Sequence, residues 1–596
     1  MRSSLLMALS LGALLALGCS SKGNGFDNDG SADDDAMGDE GGIIVNGDGG
    51  NNEGGGCDLT CSSDLHDVID CNGTKVTTCP PDQGCGPGGL CVPACESAKD
   101  NKSTIGCDYW IWPPEIIPEG KGACFAAFIA NTWTDAVTIT MDRGGQSLPA
   151  AAAARIPTGS GQAITYGNLP NNQIPPGQVA IVFLSRNGGV LTSCPNGVTP
   201  AYTATPASID GTGIGTAIHL TTSRPVVTYD IFPYGGGQSA ATSATLLLPT
   251  SAWDTNYVGV DAYRKSTAVS YATPSMAIVA QQDNTQVTIS PTAAIVGGGG
   301  VAATGKGVPK TYTINKGQFL QLSQPEELTG SAIQANNPIA LFGGASCLNI
   351  DVQDGACDSA HQQIPPVKAL GHEYVAVRYR NRTMTDETPP WRLVGAVDGT
   401  KLTYVPTPPN GAPATINNGQ VVEFKSAGPF IVNSQDALHP FYMSGHMTGG
   451  GNFGGIGDPE FVNVIPPQQY LASYVFFTDP TYPETNLIVV RKKNKAMQFS
   501  DVTLDCAGKL SGWQPIGSSD YQYTRVDLVT GNFMKVNGCD NGRHEIKSDA
   551  PFGLTVWGWG SLATNPQFYT QAVSYAYPGG MSLKPINTVV ITPTPK

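Results

Sequence analysis

The chain has 596 residues with 73 Gly and 45 Pro, and only 14% of its residues are charged. That length is several times what one ordinary core needs, and the Gly and Pro content favours short strands and tight turns over helices. The formal charge of -15 argues against nucleic acid as a partner.

The first nineteen residues, "MRSSLLMALSLGALLALGC", place Arg2 before an apolar run from Leu5 to Leu17. The run is too short to cross a bilayer and reads as an export signal. Its "LALGC" ending resembles a bacterial lipobox, in which Cys19 takes the lipid and becomes the mature N-terminus; the alternative is an ordinary secretory signal with an incidental Cys. By the same resemblance, Ser20 after the Cys points to the outer membrane or cell surface. The expected partners therefore include a membrane, reached through a lipid anchor. Residues 20–56 hold nine acidic residues and one Lys, a net -8, and read as a disordered Gly/Asp tether.

Fourteen Cys remain beyond Cys19, which in an exported protein fits disulfides. Eight of them (Cys57, Cys61, Cys71, Cys79, Cys85, Cys91, Cys95 and Cys107) crowd into residues 57–107 and predict a small stapled module whose pairing the spacing leaves open. Cys347 with Cys357 and Cys506 with Cys539 read as local loop closures, leaving Cys124 and Cys194 as a third candidate pair.

Beyond the module the chain repeats itself. "TGSAIQANNPIALFGGAS" from Thr329 has relatives starting at Gly215, Gly428 and Gly542, each an alternating apolar strand, a polar turn and a Pro that opens a returning strand. Those prolines are Pro225, Pro338, Pro440 and Pro551. A polar-turn hairpin precedes each copy, Gly-Gln recurs at Gly177, Gly317 and Gly419, and Tyr109, Tyr257, Tyr374 and Tyr474 occupy one aligned position. Four units of about 108–240, 241–350, 351–450 and 451–596 follow, all β. The first lacks the Pro-bearing strand that precedes the other tyrosines, and "SYAYPGGMSLKPIN" near the C-terminus offers it. A C-terminal strand that completes the first unit would close a propeller-like ring; consecutive β-sandwiches are the alternative.

The run "CDSAHQQIPPVKALGHEYVAVRYRNR" from Cys357, "NNPIALFGG", "SATLLLPTSAWDTNYVGVDAYR" from Ser243, "VWGWGS" and "SYAYPGG" resemble the N-terminal domain family of IgGFc-binding protein, over about Tyr109 to Asn587. The resemblance implies an extracellular protein or glycan ligand, adhesion rather than catalysis, and an all-β body at 108–596. It supplies no ligand-contacting residues to carry over.

No cofactor motif is present. His361, His372, His439 and His446 flank turns, and no His-Glu-x-x-His or Gly-x-Ser-x-Gly occurs, so neither a metal nor a catalytic nucleophile is expected. "GVAATGKG" from Gly300 approaches a phosphate loop but continues into Val308-Pro309, which cannot start the required helix. "GDPE" at Gly457 to Glu460 reads as a turn. Trp557 with Trp559, and Tyr575 with Tyr577, lie on alternate positions and share a face, which makes them candidates for ligand stacking against a reading as core. The resulting expectation is a non-catalytic surface binding protein. A carbohydrate-active enzyme, or a scaffold presenting the Cys-rich module, are the competing readings.

Overall fold

The computed structural model describes residues 58–236, 239–350 and 357–595. The signal segment, Cys19, the tether and Cys57 lie outside the described residues. Contacts divide the chain into residues 1–56 and 57–596, and everything below concerns the second unit. Its longest described α-helix is α1 (Ala94–Asn101), and no described helix is long and apolar enough to cross a membrane.

The four Pro-bearing segments are not hairpins. Three are single long strands that change partners partway along. In β1 (Ile218–Phe232), the part before Pro225 pairs with Asp108–Ile111 and Ile139–Arg143, while Val226–Phe232 pairs with Phe125–Asn131 and with β2 (Ser243–Leu246), Val226 and Val227 also meeting Gly106 and Ile105 across a bulge. β3 (Ala332–Leu348) repeats this, pairing first with Asp254–Val258 and Thr285–Ser290, then with Pro274–Ala280 and β4 (Asp358–Ile364). In the third unit the bend opens into a turn. β5 (Phe430–Asn433) pairs with Glu373–Ala376 and Thr403–Val405, and β6 (Phe441–Met447) pairs with Pro390–Gly395 and β7 (Glu460–Asn463). β8 (Gly542–Trp559) again bends, from Leu471–Thr478 and Val502–Leu504 to Glu484–Lys492 and β9 (Ser574–Pro578). Proline has no N–H to give to a ladder, so the strand can leave one set of neighbours there at little cost.

The aligned tyrosines serve that bend. Tyr109 donates its hydroxyl to the carbonyl of Val226 at 2.7 Å, Tyr257 to Ile339 at 2.7 Å, Tyr374 to Phe441 at 2.6 Å, and Tyr474 to Phe552. In every unit the acceptor is the residue directly after the proline. A carbonyl freed from its ladder and buried would otherwise be left unsatisfied. Tyr257→Phe is expected to lower stability by about 1–3 kcal/mol, read from urea denaturation, because it orphans the Ile339 carbonyl without opening a large cavity. The recurring Gly177, Gly317 and Gly419 are likewise equivalent, with φ of +67°, +78° and +74° in the turn before Val179–Ser185, Gln318–Ser323 and Val421–Lys425.

Three sequence expectations change. The hairpins before each copy are arches: Phe125–Asn131 and Ile139–Arg143 both pair with β1 rather than with each other. The strand before each tyrosine belongs to the preceding unit's ladder, as β2, β4 and β7 show, so the boundaries near 240, 350 and 450 cut one strand too early. The C-terminal strand β9 likewise pairs with β8 of its own unit instead of completing the first unit's ladder. Alternation and turn chemistry are identical in a hairpin and an arch, so the pattern cannot distinguish them.

β2, β4, β7 and β9 pack against one another in cyclic order: β2 with β4, β4 with β7, β7 with β9, and β9 with β2. Side chains bridge them where ladders do not. The amide of His361 donates to Ser243 Oγ at 3.1 Å, that of Gln363 to Thr245 Oγ1 at 2.9 Å, and Asn463 Nδ2 to the Gln363 carbonyl at 2.9 Å. Gln362 Nε2 reaches the carbonyls of both Ala244 and Ala576. The chain also ties neighbouring units at the rim, where Gly213–Thr216 of the first unit pairs with Gln318–Ser323 of the second.

The Cys-rich segment is part of the same compact unit. Disulfides join Cys61 to Cys85, Cys79 to Cys91 and Cys95 to Cys107, and Cys71 is also oxidised. The Trp133 indole donates to the Pro81 carbonyl at 2.7 Å, and the Ala472 amide to Ser63 Oγ at 3.1 Å, so the module is seated on the first and fourth units. Further disulfides link Cys124 to Cys194, Cys347 to Cys357 and Cys506 to Cys539. Past β9 the chain runs back as a strap. Leu583 donates to Lys102, Ile586 to Lys368 and Ile591 to Asn256 Oδ1, and Ser290 Oγ donates to Thr594.

Candidate binding face

The loops entering the inner strands of the third and fourth units meet each other. Gly457 donates to the Gln571 carbonyl at 2.8 Å, and Gln571 Nε2 to the Gly454 carbonyl at 3.2 Å. Residues 377–389, between the tyrosine strand and Pro390–Gly395, hold the third-unit loop from below. Arg382 is fully buried and forks onto Glu387, with Nη2 to Oε2 at 2.7 Å. Its Nη1 donates to the carbonyls of Thr448 at 2.8 Å and Ile456 at 2.9 Å, and its guanidinium lies 4.4 Å from the Phe453 ring centre. Tyr379 donates to Glu387 as well, at 2.9 Å. A buried ion pair thus fixes a Gly-rich loop that has few side chains of its own for packing.

The sequence "RYRNRTMTDET" from Arg378 holds the signal for this cluster, three Arg followed by acids, but nothing in the spacing tells which Arg goes inside. Arg380 is the half-exposed one. Its Nε donates to Asp527 at 2.6 Å and its Nη2 to Glu484, and it covers the Trp559 ring at 4.8 Å.

That cover corrects one expectation. Trp557, Trp559, Tyr575 and Tyr577 are at most 3% exposed, so they form interior packing and no solvent-open face. Tyr379 packs on Trp557 at 4.8 Å, Tyr575 stacks on Tyr577 at 5.7 Å, and Tyr577 donates to the Phe477 carbonyl. Alternation fixes that the residues share a face; what lies over that face is decided by Arg380 and Tyr379, far away in sequence.

The exposed apolar residues lie elsewhere. Val190 is 83% exposed and Phe568 42%. They flank an open cavity of about 560 Å³ that Leu191, Ala240, Pro566 and Tyr569 also line, between a first-unit loop and the loop entering β9. A second open cavity of about 570 Å³ lies between the first two units, lined by Trp110, Asp142, Asp283, Lys316 and Gly317. His219 stacks on Trp110 at 4.1 Å and bonds Asp108 and Asp142, each at 2.9 Å. Burial disfavours the charged imidazole, but the two carboxylates outweigh it and raise its pKa.

The remaining histidines do not converge. His361 Nε2 meets Asp230 Oδ1 at 2.5 Å with both residues fully buried, away from any open cavity described above. His446 donates its Nε2–H to the Ala262 carbonyl at 3.1 Å, and burial together with Arg392 pushes its pKa down to about 4. His439 bonds Asp436 in an exposed turn, and the His372 carbonyl accepts the Ser434 amide. Among the described residues, Asp505, Cys506 and His544 alone bring three ligating side chains within reach of one ion. The Cys506 sulfur is bound to Cys539, and both His544 nitrogens are engaged, by Asp505 at 3.0 Å and by the Asp540 carbonyl at 2.7 Å. A disulfide sulfur is not a thiolate, so this group does not fit a metal.

Several antiparallel sheets stapled by disulfides, with loops clamped at their ends, define an all-β protein. The family model described as IgGFc binding protein matches residues 243–558, more than half of the chain, and the chain belongs to that family. The human IgGFc-binding protein (Homo sapiens) is 24% identical over 268 residues, which is 44% of this chain and 4% of the relative, so the chain spans a small fraction of that protein's length.

Proposed function

We propose that this chain is a non-catalytic cell-surface lipoprotein that binds or adheres to an extracellular protein or glycan. Membership of the IgGFc binding protein family is the observation that carries this reading. The human relative's name gives immunoglobulin Fc as the first probe to try. The 108–596 body is read as four units closed into a ring, which the cyclic packing of β2, β4, β7 and β9 supports. Cys19 is read as the lipid anchor and residues 20–56 as the tether that holds the body off the outer membrane.

One experiment addresses anchor and binding together. Cys19→Ala should move the full chain from the membrane fraction into solution. The released protein should then bind immobilised human IgG Fc or members of a glycan array, and leave every glycan intact. Unchanged membrane retention sinks the anchor, absence of binding to both probe classes sinks the adhesion reading, and release of cleaved sugar sinks the non-catalytic one.

A further inference from the structure

Neighbouring strands of the first unit carry one row of side chains across a single face. Trp110 is the ladder partner of His219, His219 of Asp142, and Asp142 of Ser147. Ladder partners point to the same side of a sheet, so the four side chains stand together. The open cavity of about 570 Å³ between the first two units is lined by Trp110, Asp142 and Ser147 from this row, and by Asp283, Lys316 and Gly317 from the second unit. Its size falls in the range of small-ligand sites.

We infer that this cavity binds a neutral sugar ring, whose hydroxyls donate to Asp142 from the first unit and Asp283 from the second.

Both carboxylates are held in place by the protein itself. His219 bonds Asp142 Oδ2 through one ring nitrogen and Asp108 through the other, each at 2.9 Å, which leaves Asp142 Oδ1 for a ligand. The Lys316 amide donates to Asp283 Oδ1 at 3.1 Å and leaves Oδ2 in the same way. Backbone bonds tie the two walls together: the Ala217 amide donates to the Gly317 carbonyl, and the Gly317 amide to the Ala280 carbonyl, both at 2.9 Å. Gly317 also lies against Trp110 so closely that a Cβ would stand 2.9 Å from the indole. Acids fixed in this way spare a ligand the cost of ordering them.

The groups around the cavity select the chemistry. An ionised carboxylate accepts hydrogen bonds and donates none, so two of them facing one space suit a ligand rich in O–H groups and repel an anion. Lys316 is exposed and pairs with no carboxylate among the described residues, so its ammonium opposes a cation and is free to donate to ring or hydroxyl oxygens. The Ser147 hydroxyl both donates and accepts. Met141 and Trp110, 4% and 3% exposed, give the floor an apolar surface for the C–H face of a pyranose. A divalent ion is poorly served, because Asp142 and Asp283 belong to no group of three ligating side chains around one point. The first-unit wall lies outside residues 243–558, so the site is not contained in the segment that defines the family. The inference rests on the adhesion reading above and specifies its glycan arm.

The test uses the full chain and its Asp283→Ala and Ser147→Trp variants, both at exposed positions where the fold should be retained, with melting temperatures as the check. The probes are the methyl glycosides of glucose, galactose, mannose and N-acetylglucosamine, with methylamine and N-acetylneuraminic acid as cationic and anionic controls, followed by calorimetric titration. At least one neutral glycoside should bind saturably to the wild type. Asp283→Ala should weaken it by about tenfold or more, as expected for a lost bond to a charged acceptor, and Ser147→Trp should abolish it by filling the cavity. Failure of all four glycosides to bind the wild type overturns the site, and so does equal affinity in all three proteins or a preference for either control. Binding to Fc or to the glycan array that persists in Ser147→Trp, with no glycoside bound by the wild type, overturns this site alone and leaves the adhesion reading standing.

Discussion

Glu387→Ala is expected to destabilise the protein by about 3–5 kcal/mol in urea or thermal denaturation, because it leaves the Arg382 guanidinium buried without its counter-charge. Arg382 has a fully buried side chain, and every alternative partner within reach is neutral: the Thr448 and Ile456 carbonyls and the Thr448 hydroxyl. Those oxygens already accept from Nη1 and Nη2, so they cannot replace the two carboxylate oxygens that Nε and Nη2 lose. Tyr379 would lose its acceptor in the same substitution. The damage should concentrate in residues 448–457, whose backbone the guanidinium holds, and hydrogen exchange there should rise before the global transition. Glu387→Gln should cost less, since an amide oxygen can still accept one bond. A loss below about 1 kcal/mol for Glu387→Ala would mean that the pair behaves as a solvated surface bridge, and the clamp assigned to it would be wrong.

Trp559→Ala carries the second large effect, again about 3–5 kcal/mol, as a fully buried aromatic whose removal leaves a cavity. Arg380 rests on this ring while Glu484 and Asp527 hold its nitrogens, and Tyr379 approaches the ring edge at 5.9 Å. Loss of the ring should therefore also loosen the 377–389 segment. Ligand binding per folded molecule should be unchanged, since no solvent reaches the indole. The opposite result, normal stability with binding abolished, would restore the aromatic pair as a contact surface and remove it from the core.

The repeat was legible because two residue types marked one mechanical event. Tyr257 and Pro338 stand 81 residues apart in sequence, yet the hydroxyl of one caps the carbonyl that the other sets free, and the same pair occurs in all four units. Spacing alone therefore exposed a recurring structural pattern. It did not reveal that the strand continues through the proline, because a bend and a turn share the same polar residues and the same Pro. The inward or outward sense of Trp557 and Trp559 was not legible for a related reason. Alternation sets a common face, whereas the cover over it comes from Arg380, which the chain delivers from another unit. The ion pair of Arg382 and Glu387 was visible only as a charge-rich run, in which Arg378, Arg380 and Arg382 are indistinguishable until their neighbours are known.

The packing of β9 against β2 has a consequence for how the molecule is made. Ser243–Leu246 are synthesised more than 300 residues before Ser574–Pro578, and until the last strand emerges the first inner strand lacks one of its two flanking neighbours. The contact between these two strands therefore forms late, and its long sequence separation makes it slow compared with the local ladders. A chain lacking Ser574–Pro578 leaves one flank of Ser243–Leu246 without the strand that packs on it.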